Sequence, residues 1–293
     1  MTRIEQFGWP GAVEPGIGRV VSAHGDYYHL VCNEQPTGEI LARKKKSAFM
    51  RMKTVAPVNM KGKKISEERA ELPPQPLTGD FVRFRYNAQG ESMITEVLPR
   101  FSHFERKDPT AKRTSQTLAV NFDTLFVMMS LNENFSTARI RRYLDLAKDM
   151  GAAEVIVVVT KVDLRQDGDE EFFDELREEV GDAARILEIS SLTGEGMTQV
   201  NEYVKTGKTL AFIGSSGVGK STLLNTLMGE EWQATQEIQE WSGKGRHTTT
   251  SRELVMLPSG AMVIDTPGIR EIGMLGEQDD LQAKGESTHR YRK

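Results

Sequence analysis

The chain is poor in cysteine, since Cys32 is the only cysteine among its 293 residues. A single cysteine excludes an intrachain disulfide and any cysteine-rich zinc site, and it fits a reducing compartment. No apolar run approaches the roughly 18 residues that indicate a membrane-spanning helix, and the N-terminus lacks the apolar core of a signal peptide. We therefore expect a cytoplasmic protein with no membrane partner, and the length suggests two domains.

Acidic residues are missing from residues 43–64, which contain nine Lys and Arg side chains. The first 115 residues carry 19 basic and 13 acidic side chains, whereas the remainder carry 19 and 29. A one-sided basic segment indicates a polyanionic partner. A solvated, disordered loop is the alternative interpretation of this segment.

The stretch "GSSGVGKS", residues 214–221, matches the phosphate-binding pattern G-x-x-x-x-G-K-[ST]. An apolar strand-like run, "KTLAFIG", precedes it, and "KSTLLNTLMG" follows with apolar residues at helical spacing. Glycines let backbone N–H groups turn inward around phosphate oxygens, and the next helix adds its positive N-terminal end. Lys220 would reach the β- and γ-phosphates, and the Ser221 hydroxyl would bind Mg²⁺. A glycine-rich turn before a helix is the alternative, which the flanking strand and helix disfavour.

Two further segments downstream fit the phosphate side of a P-loop GTPase. In "MVIDTPG", residues 262–268, Asp265 would hold Mg²⁺, and the Gly268 N–H would sense the γ-phosphate. Between this stretch and the P-loop lies "GKGRHTTTSREL", in which Thr249 would complete the Mg²⁺ shell when GTP is bound. An ordinary strand-end turn and a β-prone segment are the alternatives.

A base-reading Asn-Lys-x-Asp motif is missing after Gly268, but a related motif lies upstream. The buried-type strand "EVIVVVTKVDL" ends in a segment where Asp163 can accept hydrogen bonds from guanine N1–H and N2–H₂, a pair that adenine does not offer. The Lys161 stem can lie along the base plane. Thr160 replaces the usual Asn and keeps only a hydroxyl, so we expect a weaker tether to the P-loop.

A second upstream strand, "RILEISSLTGEG", ends in Ser190 and Ser191 and resembles the Ser-Ala motif whose backbone N–H meets guanine O6. Base-reading segments therefore come first along the chain, the P-loop second and the phosphate sensors last. This order predicts a circularly permuted domain, in which residues 203–209 join the original ends.

With this motif order, the chain resembles the RsgA family of circularly permuted GTPases. The resemblance rests on "LAVNFDTLFVMMSLNENFSTARIRRYLDLAKDMGAAEVIVVVTKVDL", "SSLTGEG", "GSSGVGKSTLLNTLMG", "GKGRHTTTSREL" and "IDTPGIRE", and it spans residues 75–273, with a looser match back to residue 17. It implies a GTP hydrolase that acts late in assembly of the small (30S) ribosomal subunit. It also implies GTP/GDP and Mg²⁺ as cofactors, 16S rRNA and the small subunit as partners, and an N-terminal OB-fold.

The first third of the chain supports the OB-fold independently, because short β-prone runs there are broken by Gly, Asn and Pro. A basic OB barrel suits RNA binding. Five aromatic residues could stack bases, although core packing is the alternative: Tyr27, Tyr28, Phe81, Phe84 and Tyr86. The predicted fold class is thus an α/β circularly permuted P-loop GTPase domain preceded by a small all-β OB-fold barrel. The predicted units are an OB-fold-like domain at 1–103, a linker at 104–116, the permuted GTPase domain at 117–275 and a polar tail at 276–293.

One part of the family pattern is missing. The family continues past the Asp-x-Pro-Gly motif into helices and a zinc module of three Cys and one His, but no Cys follows Gly268 here. His289 alone cannot form a structural zinc site, so we expect none in this chain. A truncated chain and a natural short form both fit this departure.

The residue after Asp-Thr-Pro-Gly is Ile269 rather than a Gln that could orient water, so we expect slow hydrolysis that the small subunit stimulates. His247 is the nearest candidate to replace Gln, with an ordinary surface His as the alternative; the predicted catalytic set is His247, Lys220 and Gly268. The predicted metal ligands are Ser221, Thr249 and Asp265. The predicted GTP-binding residues are Thr160, Lys161, Asp163, Ser190, Ser191, Gly214, Ser215, Ser216, Gly217, Val218, Gly219, Lys220, Ser221 and Thr222.

Two rival functions remain at this point. One is an RNA-binding adaptor that binds GTP without turning it over, and the other is an ATP-using P-loop enzyme, against which Asp163 argues. We expect a monomer.

The helix "STARIRRYLDLAKDMG" is predicted to begin after Ser136 as N-cap and to end at Gly151.

Overall fold

The structure is a computed structural model that describes residues 1–35, 37–45, 74–107, 115–131, 136–148, 150–151, 153–229 and 253–265. These residues form a small β-barrel and a larger α/β unit, which share one extended sheet because barrel strand β1 pairs with the edge of the α/β sheet at Ser22 and Glu253. Among the helices of the described residues, none has the length and hydrophobicity needed to cross a membrane.

Five strands form the barrel, after a short helix α1 (Arg3–Gln6). They are β1 (Ile17–His24), β2 (Tyr27–Cys32), β3 (Ile40–Lys44), β4 (Phe81–Arg85) and β5 (Ser92–Val97). The order β1-β2-β3-β5-β4 closes through a β1–β4 pairing, with β3 and β5 parallel and the other pairs antiparallel. This is the topology of an OB-fold, so the predicted barrel is confirmed.

The aromatic residues of the barrel divide between its core and its surface. Tyr28, Phe81 and Phe84 are at most 4% exposed and pack inside, so core packing is the right interpretation for these three. Tyr27 and Tyr86 are 38% and 40% exposed, respectively. Two of the five candidates for base stacking therefore lie on the surface.

A hairpin connects the barrel to the α/β unit. Its strands, β6 (His103–Lys107) and β7 (Ser115–Val120), are antiparallel and cover both ends of the predicted linker at 104–116. Phe104 and Leu118 are buried in the core of the α/β unit. The hairpin therefore packs as part of that unit.

Six strands build the sheet of the α/β unit, in the order β10-β9-β8-β11-β13-β12. The first five are parallel and β12 is antiparallel to β13. Their bounds are β8 (Thr124–Ser130), β9 (Glu154–Thr160), β10 (Arg185–Ile189), β11 (Thr209–Ile213), β12 (Glu253–Met256) and β13 (Met262–Asp265). Their runs of Val, Ile, Leu and Met are typical of parallel strands buried on both faces.

Helices cover both faces of this sheet. They are α2 (Thr137–Ala147), α3 (Glu170–Val180), α4 (Met197–Val200) and α5 (Lys220–Met228), with 3-10 turns at Val162–Leu164 and Gly181–Ala183. One core joins α2, α3 and the hairpin to one face, and a second core joins α4 and α5 to the other. Alternate residues of β8 enter the two cores, as the period of a strand requires.

The boundaries of α2 confirm one prediction and correct another. Ser136 is the N-cap, and its side chain accepts a hydrogen bond from the Arg139 N–H. The helix ends at Ala147, so the predicted end at Gly151 is wrong. Gly151 has φ +88°, and a Cβ there would lie 2.4 Å from the Phe101 carbonyl oxygen. The glycine is needed for close approach of two chain segments rather than for a helix cap.

Arg19 joins the barrel to the α/β sheet through a buried guanidinium that is 1% exposed. Its Nη1 donates to the Phe7 carbonyl at 2.6 Å and to Thr209 Oγ1, on the first residue of β11, at 3.0 Å. Its Nη2 donates to the Asn121 carbonyl at 2.8 Å, and its Nε to the Gly79 carbonyl at 3.3 Å. Burial lowers the pKa of Arg19 to about 10, so the side chain remains a cation at neutral pH.

A partly buried ion pair lies beside Arg19, with Asp80 fully buried and Arg100 17% exposed. Arg100 donates from Nε and Nη2 to the two carboxylate oxygens of Asp80, both at 2.8 Å. Burial raises the pKa of Asp80, and the hydrogen bonds from Arg100 oppose that rise. Asn121 bridges to the same region, since its Nδ2 donates to the Gly79 carbonyl at 3.2 Å. The contact between the two units is therefore polar, buried and specific in geometry.

We predict that Arg19→Met lowers the free energy of unfolding by about 3–5 kcal/mol, because buried acceptors lose their donor. Arg83→Met is the matched control on the same barrel: this side chain is exposed and its ion pairs with Glu14 and Glu96 are 3.5 and 3.6 Å long. Exposed pairs contribute about 0–1 kcal/mol. Urea denaturation measures both variants, and equal losses would contradict the role given to Arg19.

Candidate functional site

The parallel strands bring the predicted motifs to one edge of the sheet. Strands β10, β9, β11 and β13 all end at that edge, and each is followed or closed by a predicted site segment. Across the edge, the order is residues 190–191, residues 160–163, the P-loop at 214–221 and Asp265. Parallel α/β sheets bind ligands at the carboxyl ends of their strands. The predicted base-reading segments therefore lie on one side of the P-loop and Asp265 on the other.

The P-loop has the backbone shape that its sequence predicts. It joins β11 to α5, whose first residue is Lys220. Gly219 is the N-cap, with φ +94°. Gly214 has φ +152°, and a Cβ there would lie 2.3 Å from the Met128 carbonyl oxygen. Val218 is 2% exposed and anchors the loop in the core. These features shape a backbone cradle at a helix N-terminus, where an anion is favoured.

The Lys220 ammonium points across this loop. Nζ lies 2.7 Å from both the Gly214 and Ser215 carbonyl oxygens, and it donates to each. Ser221, in the first turn of α5, is exposed to solvent. A cation and a helix N-terminus thus face the same small volume, which suits phosphate oxygens.

Thr160 ties the segment after β9 to the P-loop. Its Oγ1 lies 2.6 Å from the Val218 carbonyl oxygen and 3.1 Å from the Met129 carbonyl oxygen. The hydroxyl has one hydrogen, so it donates to one acceptor at a time, and the shorter distance favours Val218. The residue is 4% exposed. A threonine at this position therefore still reaches the P-loop without the amide of Asn.

Lys161 has a left-handed backbone, with φ +61° and ψ +36°. In the described part of the chain, only Asn121 shares a positive φ among non-glycine residues. Such a conformation costs about 1–3 kcal/mol, and residues held in it cluster at functional sites. The turn carries the chain into the 3-10 segment Val162–Leu164, where Val162 is buried and Asp163 is exposed. The Asp163 carboxylate is thereby presented at the sheet edge.

Ser190 and Ser191 differ in what they contribute. Ser190 is fully buried, and its Oγ accepts hydrogen bonds from the Leu192 and Thr193 N–H groups at 3.2 and 3.1 Å. Its side chain therefore shapes the turn after β10. Ser191 is half-buried at the start of that turn, beside the segment of Asp163.

Several predicted residues are not part of this geometry. His247, Thr249 and Gly268 lie outside the described residues, as does the predicted tail at 276–293. Asp265 closes β13, and its backbone pairs with Glu253. Within the described ranges, no group of three or more His, Cys, Asp or Glu side chains could hold a metal ion. Of the predicted metal ligands, the structure describes the side chain of Ser221.

Arg139 is a contact of the P-loop that the sequence did not reveal. It lies in the first turn of α2, and its Nη1 donates to Ser215 Oγ at 3.3 Å. The sequence offered one signal: a cation in the first turn of a helix opposes the helix dipole, so its position requires another reason. That reason is contact with the loop from the neighbouring strand.

We predict that Thr160→Val weakens nucleotide binding by roughly 5- to 30-fold, because a buried hydrogen bond between the predicted base-reading segment and the P-loop is lost. Thr160→Asn should retain affinity, since its amide restores a donor. Thr226→Val is the matched control, because the Thr226 hydroxyl bonds within α5 to the Thr222 carbonyl at 2.9 Å. The affinity of all three variants is measured by titration with a fluorescent GTP analogue. Equal affinities for the two valine variants would show that the Thr160 hydrogen bond does not contribute to nucleotide binding.

Comparisons with known proteins agree with this geometry. A family model described as RsgA GTPase matches residues 97–275. The chain is 38% identical over 258 residues to "Small ribosomal subunit biogenesis GTPase RsgA 2" of Lactiplantibacillus plantarum, covering 87% of this chain and 66% of that protein. It is 36% identical over 288 residues to "Small ribosomal subunit biogenesis GTPase RsgA" of Leptospira interrogans, covering 94% of this chain and 73% of that protein.

Solved structures are similar in fold. The crystal structure of YjeQ from Thermotoga maritima matches with a TM-score of 0.58 at 25% identity, over 87% of this chain and 76% of that one. The structure of YloQ, described as a circularly permuted GTPase, matches with a TM-score of 0.53 at 23% identity, over 86% of this chain and 70% of that one. Together with the strand order, these matches confirm the predicted fold class.

Proposed function

Because the chain belongs to the RsgA GTPase family, we propose that it hydrolyses GTP to GDP and phosphate during late maturation of the small ribosomal subunit. The observation that carries this proposal is the single sheet edge on which residues 160–163, residues 190–191 and the P-loop converge. The printed names of the relatives supply the ribosomal context. The chain covers about two thirds to three quarters of their length.

Guanine selection is assigned to the segment after β9. Asp163 is exposed at the edge, and its carboxylate would accept hydrogen bonds from guanine N1–H and N2–H₂. The strained backbone of Lys161 sets the direction of its side chain, whose stem would lie along the base. The Ser191 N–H would meet guanine O6 from the adjacent turn. ATP offers no donor pair to Asp163, which favours GTP over ATP.

Phosphate binding and catalysis are assigned to the P-loop and the downstream segments. The Ser221 hydroxyl, exposed in the first turn of α5, fits a Mg²⁺ ligand, and Asp265 and Thr249 would complete the set. Mg²⁺, when bound, would neutralise negative charge on the β- and γ-phosphates. Lys220 would add a second cation from the loop, the Gly268 N–H would contact the γ-phosphate, and His247 would orient the attacking water.

Partner binding is assigned to the barrel. An OB-fold with a basic segment suits contact with 16S rRNA, and we infer that the chain works in the cytoplasm as a monomer. A second candidate is a GTP-binding adaptor without hydrolysis, favoured by Ile269, which stands where a water-orienting Gln would be expected. Both candidates need the same guanine site.

The GTPase rate against added 30S subunits separates these candidates. We expect slow release of phosphate by the chain alone and faster release as subunits are added. Binding to 30S subunits with no single-turnover hydrolysis would favour the adaptor. Equal competition by ATP for the GTP site would instead indicate an ATP-using enzyme.

We predict that His247→Ala leaves GTP affinity nearly unchanged but lowers 30S-stimulated hydrolysis by roughly 10- to 1000-fold, if its ring orients water or stabilises charge. His103→Ala is the control, because His103 lies on strand β6 of the hairpin, outside the barrel to which partner binding is assigned. Normal stimulated turnover in the His247 variant would exclude it from catalysis.

We predict that Asp163→Asn weakens GTP binding by on the order of 10²–10⁴-fold, because two hydrogen bonds to a charged acceptor are lost. The same variant should gain affinity for xanthosine triphosphate, since xanthine has a carbonyl where guanine has its amino group, and the Asn amide can donate to that carbonyl. Asp167→Asn is the matched control, an exposed acid four positions along the same loop. Both affinities are measured by a competition titration with the two nucleotides. Unchanged GTP affinity in Asp163→Asn would contradict the proposal that Asp163 recognises guanine.

A further inference from the structure

Four exposed side chains form one row across the outside of the barrel. Tyr27 of β2 pairs with Arg43 of β3, Arg43 pairs with Met93 of β5, and Met93 pairs with Arg85 of β4. All four are exposed, with Tyr27 at 38% and Met93 at 42%. We call Tyr27, Arg43, Met93 and Arg85 the outer row.

The outward direction of the row follows from strand alternation. The neighbouring residues Tyr28, Ala42 and Ser92 are paired in the same way and are at most 3% exposed. Successive side chains of a strand point to opposite faces, so the row must face solvent. Three strand spacings separate its ends, which makes it about 14 Å long.

The row combines stacking groups with cations. The Arg43 guanidinium lies 4.2 Å from the centroid of the Tyr27 ring, and its Nη2 donates to Tyr27 Oη. Arg43 also pairs with Glu91 at 2.7 Å, which holds the guanidinium over the ring. This pair is exposed on both sides, so it contributes little to stability and a phosphate can replace the carboxylate.

Tyr27 and Met93 are large side chains that remain partly exposed to water. Tyr27 and Met93 add nothing to the barrel core, which is closed by the residues on the opposite face. Alternation of an aromatic ring or thioether with guanidinium groups is what a single-stranded nucleic acid needs: bases stack on the former, and phosphates pair with the latter. Bases within a duplex do not expose their faces in this way.

Charge also favours RNA over a protein partner. The chain leaves β3 at Lys44 and enters the basic stretch 43–64, which has no acidic residue. The outer row therefore lies next, in sequence, to the most basic part of the chain. A polyanion is attracted to this basic stretch, and the exposed guanidinium groups of Arg43 and Arg85 can pair with its phosphates, whereas an apolar protein surface would offer them no acceptor.

We propose that the outer row binds an unpaired RNA segment of two or three bases, with Tyr27 and Arg43 as the main stacking platform. The inference rests on the proposed function, because it names the face and the kind of RNA that the barrel contacts. It adds that this contact is made with unpaired bases rather than with the backbone of a helix.

The test is binding of the full chain to a fluorescein-labelled, unstructured RNA decamer and to the duplex of the same length, followed by fluorescence anisotropy. We expect the wild type to prefer the single strand. Tyr27→Ala should weaken it by roughly 5- to 100-fold, while Tyr27→Phe retains most affinity. Met93→Ala should weaken it by roughly 2- to 10-fold. Met256→Ala, an exposed methionine of the α/β sheet at 37%, is the matched control and should change nothing.

Arg43→Lys separates stacking from charge. Lysine keeps the cation but not the planar guanidinium, so affinity should fall while the salt dependence stays the same. Arg43→Ala should in addition lower the slope of log affinity against log salt by about 0.7. If Arg43→Lys behaves as the wild type, the row acts only through charge and the stacking platform is wrong.

The outcomes distinguish this inference from the proposed function. Unchanged RNA affinity in Tyr27→Ala and Met93→Ala overturns the inference, even where 30S subunits still stimulate GTP hydrolysis. The same holds if these variants bind RNA normally but lose 30S subunits, which would indicate a protein contact. Equal binding of duplex and single strand also overturns it. If 30S subunits do not stimulate GTP hydrolysis by the wild-type chain, the proposed function is contradicted instead.

Discussion

The site depends on one constraint: parallel strands in one sheet end at the same edge. Because β9, β10, β11 and β13 obey it, residues that are far apart in sequence meet at that edge. Permutation changes which strands the chain joins, but it leaves each strand beside the same neighbours. Thr160 shows the result at atomic scale, since its hydroxyl lies 2.6 Å from a P-loop carbonyl 58 residues later in the chain.

Much of this arrangement could be predicted from the sequence. Buried-type strands, the glycines of the P-loop and the Ser136 cap are local patterns, and local patterns determine local structure. The order of the motifs was enough to indicate permutation, because each motif has a fixed position on the sheet edge. The barrel was predicted from its turn residues, although turns alone do not reveal which aromatic residues face inward.

The remaining features depend on contacts between distant segments. Arg139 contacts the P-loop from helix α2, and Arg19 forms hydrogen bonds with both the barrel and the α/β unit. A buried arginine cannot be distinguished in sequence from one that is solvated. Gly151 resembles a helix cap in sequence, yet it is required by the approach of Phe101. The left-handed backbone of Lys161 was equally hidden, because lysine carries no preference for that conformation.

Strand β11 has a different kind of end on each side. Its first residue, Thr209, accepts a hydrogen bond from the buried Arg19, and its last leads directly into the P-loop. Five residues of strand are about 17 Å long and nearly inextensible. The Arg19 contact of the barrel and the P-loop therefore lie at opposite ends of the same strand, and this strand sets the distance between them.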